Sequence, residues 1–252
     1  MDKVVQRKNV MKTRTATATA ICENEGNMPL KADILTFKTV EGKIETLTVN
    51  NSMVYRFIKR TSDIILSLLA LIILSPVFLV TAIAIKMEDG EPVIFTQDRS
   101  GLNNKTFKMY KFRSMVKEAP ALHESLLAHN ELDGPAFKMK DDPRITKVGR
   151  VIRKTSIDEL PQLVNVIKGE MSLVGPRPLP TYETEECNEY QKQRLKVTPG
   201  LTCYWQVSGR NNITFDEWIE MDLKYIREAS VWTDIKLLGM TFVAVFRMIG
   251  AY

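Results

Sequence analysis

The hydrophobic pattern along the chain is uneven, and one apolar stretch dominates it. From Ile64 to Ile85, the run IILSLLALIILSPVFLVTAIAI holds no charged residue over 22 positions. That length suffices to cross a bilayer, whereas buried core helices are usually shorter. Near its middle sits Ser75-Pro76. Proline has no amide donor, its ring clashes with the preceding turn, and the residue before it is pushed away from helical angles. The pattern therefore predicts two half-helices, each too short to cross alone. Arg56, Lys59 and Arg60 precede the run, and Lys86, Lys105, Lys108, Lys111 and Arg113 follow it. Cations on both flanks favour return of both ends to the cytoplasm. On these grounds a kinked helix that crosses fully stays open beside the hairpin.

The remaining segments read more conventionally. ILTFKTV and IETLTV, around EGK, predict two short strands that must pack on something, because a lone hairpin is marginal in water. In PVIFTQDRSGLNNKTFKMYKFRSM, two alternating runs flank a turn rich in Gly and Asn, predicting a β-hairpin. Its second strand would carry Lys111 and Arg113 on one face. A helix is predicted over Glu118–Asn130, then a turn at Asp142-Pro143 and a basic helix with Arg150 and Arg153 three apart on one face. TSIDELPQLVNVI predicts the next helix, VGPRP an extended segment, and VTPGLTCYWQVSGRNN strand or loop with turns at Pro199-Gly200 and Gly209. FDEWIEMDLKYIREA is helical. The closing helix, DIKLLGMTFVAVFRMI, is apolar but too short to span, so it packs on the domain or lies in the interface.

Composition narrows the class. The chain has 252 residues, 44% hydrophobic and 26% charged, which suits one sizeable folded domain. Residues 1–30 are a basic, low-complexity tail without the apolar run of a signal peptide. A net charge of +5 suits anionic partners. Nucleic acid is disfavoured, because the cations interleave with a membrane segment and a carboxylate pair rather than with stacking aromatics. Cys22, Cys187 and Cys203 are odd in number and lack CxxC spacing, arguing against a disulfide framework or a zinc ribbon and for a reducing compartment. His123 and His129 lie six apart, about 240° around a helix, so metal ligation by them is not expected.

Ser156-Ile157-Asp158-Glu159 fits the capping-box pattern, and Pro161 suits a first turn. Acidic residues at a helix N-terminus ordinarily offset the macrodipole. Here Arg150 and Arg153 lie upstream, and Arg177 stands between Pro176 and Pro178 downstream. Guanidinium groups and free helix amides suit phosphate. Two adjacent carboxylates can divide the work: one attacks phosphorus, and the other holds a magnesium ion beside the substrate phosphates.

A chain of motifs in order extends this: KRTSDI, the SP break, KFRSM, DDPRITKVGRVIRKTSIDELPQL, NVIKGEMSLVGPRP, TPGLTCYWQVSGRN and D-x-x-Y. In them, residues 56–252 resemble the bacterial sugar transferases of the monotopic phosphoglycosyl transferase superfamily. The resemblance implies an α+β fold: a mainly helical cytoplasmic catalytic domain with a β-hairpin (residues 91–252), a re-entrant membrane helix broken at Ser75 and Pro76 (residues 56–90), and interfacial amphipathic helices. Residues 31–55 are an unmatched extension. It further implies that Asp158 is the nucleophile on a UDP-sugar and Glu159 a Mg2+ ligand. Lys111, Arg113, Arg150, Arg153, Arg177, Arg210 and Asp222 form the implied phosphate- and substrate-binding set. The acceptor would be undecaprenyl phosphate in the inner membrane, with later glycosyltransferases of the pathway as further partners and a homodimer left open. A non-catalytic membrane scaffold would predict a degraded Asp-Glu pair; the pair is intact. The sugar is not legible.

Overall fold

The computed structural model describes residues 47–90, 92–126, 130, 137, 139, 141–208 and 213–246. The basic tail, most of the 31–55 extension, Gly209 and Arg210 lie outside these. The part of the expected second N-terminal strand that is described, residues 47–49, is loop rather than strand. It is held by Leu47 N donating to Gln193 Oε1 (2.9 Å), and Asn50 Nδ2 donates to the Ala229 carbonyl (2.8 Å).

Helix α1 (Met53–Ile73) starts at Ser52, whose hydroxyl accepts from Tyr55 N. It stops at Leu74, and α2 (Ser75–Asp89) departs at 61°. Pro76 falls in the first turn of α2, where a missing amide costs nothing. Ser75 Oγ donates to the Ile72 carbonyl (2.8 Å), occupying an acceptor the broken helix leaves free. Among the described residues no single helix is long and apolar enough to cross a membrane; only this bent pair is, taken together. Leu69, Ile72, Ile73, Leu79, Val80 and Ile83 are exposed along it, more contiguous apolar surface than a water-facing helix pair carries.

The cations before the run act differently from expectation. Arg60 donates to the carbonyls of Val166 (2.6 Å) and Ile167 (2.7 Å), at the C-terminal end of α5 (Gln162–Lys168), the end that favours positive charge. Lys59 Nζ reaches Asp234 Oδ2 (2.9 Å), the Tyr225 hydroxyl and the Val174 carbonyl. Asp63 accepts from Leu173 N (3.0 Å). The sequence offered Lys59 and Arg60 as flank charges; the structure uses both to dock α1 on the domain.

The predicted hairpin is present: β1 (Ile94–Ser100) pairs antiparallel with β2 (Thr106–Phe112), Ile94 opposite Phe112 and Ser100 opposite Thr106. Its turn places Asn103 and Asn104 at positive φ (53° and 60°), which asparagine tolerates better than most residues. Helix α3 is described over Ala119–Leu126, and Asn130, the last residue of the expected helix, is not helical. Basic helix α4 (Lys147–Lys154) is capped by Thr146, and Glu88 of α2 accepts from the Lys147 and Val148 amides. Ile85 of α2, Ile152 of α4 and Phe112 of β2 form one buried cluster. A Cβ on Gly149 would lie 2.0 Å from the Ser114 carbonyl oxygen, so only glycine lets α4 approach the end of β2 this closely.

After α5, β3 (Ser172–Val174) pairs in parallel with β4 (Gly200–Thr202). Gly200 and Gly175 cross in contact; a Cβ on Gly200 would meet Gly175 N at 2.0 Å. Helix α6 (Thr181–Glu186) lies between these strands in sequence. A short helix α7 (Tyr204–Val207) replaces part of the expected strand or loop. Helix α8 (Phe215–Glu228) carries a capping box at Thr214 and Glu217, and α9 (Val231–Phe246) closes the described chain. Leu223, Ile226, Val166 and Leu237, from α8, α5 and α9, are fully buried.

Candidate functional site

The capping box expected at Ser156 is absent. Ser156 takes a left-handed conformation (φ 57°) without a side-chain cap bond, and Ile157–Glu159 form a single 3-10 turn before α5 begins at Gln162. This turn presents Asp158 and Glu159 toward β2 and the 175–180 segment. Asn165, fully buried on α5, ties the parts together: it accepts from Tyr110 N (3.0 Å) and donates to the Lys108 carbonyl (2.8 Å). Those contacts set β2, and hence Lys111, beside the carboxylates.

Glu159 is the hub. Lys111 Nζ donates to its Oε1 (3.0 Å), Arg177 Nη1 donates to its Oε2 (3.2 Å), and Arg177 Nη2 also donates to Oε1. Burial alone would raise the Glu159 carboxyl, but the Arg177 and Lys111 cations override it and hold it well below the usual carboxylate range. Asp158 goes the other way. It is 7% exposed, and burial pushes its carboxyl up to about 6. Lys111, Arg153 and Arg177 oppose that rise, while the Glu159 charge adds to it. Two neighbouring carboxylates thus differ in character. Arg153 Nη1 is buried with no hydrogen-bond partner among the described residues, which leaves a donor free for an anion.

The segment carrying Arg177 is extended, as expected. Prolines 176, 178 and 180 offer no amides, so the segment is gripped by its carbonyls. Val174 O accepts from Lys59, Pro176 O from Gly200 N (2.9 Å), Arg177 O from Arg194 (2.5 Å), Pro178 O from Arg99 (2.9 Å) and Leu179 O from Ser100 N (3.0 Å).

Of the expected site residues, the structure gathers Lys111, Arg153, Asp158, Glu159 and Arg177. Arg113 lies one residue past β2 and donates from Nε to the Pro92 carbonyl (2.8 Å), so it does not share the work of Lys111. Arg150 is on the exposed side of α4. Asp222 is fully buried and paired with Arg194 Nη2 (2.5 Å), which removes it from direct substrate contact. Arg210 lies outside the described residues. Sequence reading passed over Arg99, Asn165 and Arg194, whose roles are tertiary.

No cluster of three or more His, Cys, Asp or Glu side chains forms among the described residues. Magnesium needs no such cluster, since one or two carboxylates suffice when substrate phosphates complete its shell. The hard oxygen donors of Asp158 and Glu159 fit that description, and a metal held there would share Glu159 with Lys111 and Arg177.

This geometry meets known sequences directly. The bacterial sugar transferase profile matches residues 54–248. The chain belongs to the bacterial sugar transferase family. It is 50% identical over 196 residues to a galactosyl transferase, CpsE, of Streptococcus agalactiae, a match covering 77% of this chain and 43% of that protein. It is 45% identical over 201 residues to an undecaprenyl-phosphate galactose phosphotransferase of Salmonella typhimurium, covering 78% and 42%. It is 39% identical over 198 residues to the exopolysaccharide production protein ExoY of Sinorhizobium fredii, covering 77% and 88%. The chain thus spans less than half of the first two relatives and most of the third. In this bacterial sugar transferase the Asp158–Glu159 turn and the Arg177 segment both fall within the matched region.

Proposed function

We propose that this chain transfers a sugar-1-phosphate from a UDP-sugar to undecaprenyl phosphate, giving undecaprenyl-diphosphate-sugar and UMP. The observation that carries the reading is the unlike pair: a buried, proton-avid Asp158 beside a Glu159 kept ionised by Lys111 and Arg177. A carboxylate with raised proton affinity, still mostly ionised near neutrality, is the better nucleophile of the two. The names of the Streptococcus and Salmonella relatives support the reaction class.

In the first half-reaction an Asp158 oxygen attacks the β-phosphorus, which bears the sugar. The bond from that phosphorus to the bridging oxygen breaks, and UMP leaves with that oxygen. In the second half-reaction an oxygen of undecaprenyl phosphate attacks the same phosphorus, the acyl-phosphate bond breaks, and the Asp158 carboxylate is restored. Arg153 and Arg177 bind phosphoryl oxygens, and Lys111 balances the charge gathered around the turn. Magnesium, held by Glu159, would neutralise phosphoryl charge. The bent α1–α2 pair enters the cytoplasmic leaflet and returns, setting the site at the surface where the lipid phosphate lies. This is the first membrane step of an exopolysaccharide, capsule, O-antigen or glycoprotein glycan.

The test is UMP release by the full chain in nanodiscs, measured against a panel of UDP-sugars with and without undecaprenyl phosphate. Lipid-dependent UMP release from one sugar is the expected result. No release from any of the sugars would overturn the reading.

A further inference from the structure

Asp222, which leaves the substrate set because it is fully buried, sits at one end of a continuous stack that ends at Arg177. Its carboxylate pairs with Arg194 (2.5 Å), and the two side chains are 0% and 3% exposed. The Arg194 guanidinium lies 5.3 Å from the centre of the Trp218 ring. Trp218 stacks on Trp205 with centroids 4.4 Å apart and planes 14° from parallel. Over the Trp205 ring, at 5.8 Å, lies the Arg177 guanidinium. The loop closes through the backbone, because Arg194 Nη2 also donates to the Arg177 carbonyl (2.5 Å). Trp218 and Asp222 are four apart on α8, so they project from one face.

We propose that Trp205, Trp218, Arg194 and Asp222 form a brace that positions Arg177 for the phosphoryl group. Arg177 stands between two prolines in a segment that cannot use a regular strand ladder, so its backbone and side chain both need external support. Arg194 holds the carbonyl, and the indole pair backs the guanidinium. Both cations gain from the ring faces in a site shielded from water. Asp222 neutralises Arg194, which otherwise would be a buried cation repelling Arg177. None of the four touches substrate; each acts through Arg177. The inference rests on the transferase reading for Arg177's task but not for the brace itself.

Removing Asp222 or Arg194 strands a buried charge and endangers folding, so Trp205, which is partly exposed, carries the test. Trp205→Leu keeps an apolar side chain but loses the ring and much of its volume; Trp205→Phe keeps a ring face for both neighbours. UMP release in nanodiscs should fall about ten-fold or more in Trp205→Leu and stay within about three-fold of wild type in Trp205→Phe. Equal activity of the two variants overturns the brace. A double-mutant cycle on thermal unfolding, combining Trp205→Leu with Arg177→Met, reads the contact without turnover. The double variant should lose less than the sum of the singles, and strict additivity overturns the brace. If the wild-type chain releases no UMP at all, the transferase reading falls and the cycle still decides the brace.

Discussion

Asp158 carries opposite consequences for stability and for chemistry. Its folded-state carboxyl is raised to about 6 from an ordinary value near 3.8 by burial. A raised folded-state value contributes stability that is full below the unfolded value and lost as pH rises through about 6. At neutral pH the ionised Asp158 is therefore a cost to folding. Asp158→Asn should abolish turnover and at the same time raise stability by about 1–3 kcal/mol near pH 7.5. That gain should shrink toward zero near pH 4, as thermal melts at the two pH values would show. A folded Asp158→Asn protein with near-normal turnover would sink the covalent mechanism. On the proposed mechanism the same residue sets the acid limb of the rate profile. Attack needs the ionised form, and the groups facing Asp158 are Lys111, Glu159, Arg153 and Arg177. Activity of the free enzyme, read as kcat/KM against pH, should fall as pH drops through about 6. A limb near 4 would show that burial does not raise the nucleophile.

At the scale of elements, the break between α1 and α2 is the most consequential joint. Ser75-Pro76 turns a run long enough to span into two helices at 61°, and Glu88 then hands the returning helix to the N-terminus of α4. Replacing the pair by Ser75→Leu with Pro76→Leu should restore a continuous helix of about 33 Å over the apolar run. A cysteine at the exposed Asn51 should then become reactive to an impermeant reagent outside intact cells. If that site stays protected, proline is not what sets the bend. The docking contacts of Lys59, Arg60 and Asp63 oppose the change. A mixed population with partial loss of activity is therefore the expected form of the result.

For the whole molecule, the re-entrant reading proposed for the bent pair places both ends of the apolar run on one side. In the wild-type chain, cysteines at Asn51 and at Asn104 in the hairpin turn should both resist the impermeant reagent until cells are lysed. Labelling of the Asn51 site from outside would establish a spanning helix. The metal is tested at the same scale. Magnesium retains waters and binds few carboxylates weakly, so EDTA should stop UMP release and added magnesium should restore it. Full activity in EDTA would remove Glu159 from the metal role and leave it as the anchor of Lys111 and Arg177.

Local pattern determined much of this protein. The position of the helix break, the β1–β2 hairpin with its Asn-rich turn, the basic helix over 147–154, the extended proline segment and α8 all follow from periodicity, proline and turn chemistry, which act over a few residues. Asp158, Glu159, Arg153 and Arg177 were nameable because a carboxylate pair among guanidinium groups is visible along the chain, whereas Lys111, alternating on a strand, was singled out only by the family resemblance. The tertiary structure alone decided which cations face the carboxylates and which serve the scaffold. Arg113 and Lys111 are two residues apart, yet one holds a loop carbonyl and the other Glu159, because the strand ends between them. Lys59 and Arg60, at the flank of the apolar run, also bind the carbonyls of Val174 and of the end of α5. Ser156 gave up its cap for a left-handed turn that aims the dyad at Arg177. Asp222 went into the buried core, because its cationic partner, Arg194, is buried there. In each case a long-range polar group had to be satisfied away from water, and sequence spacing carries no record of which distant group that is.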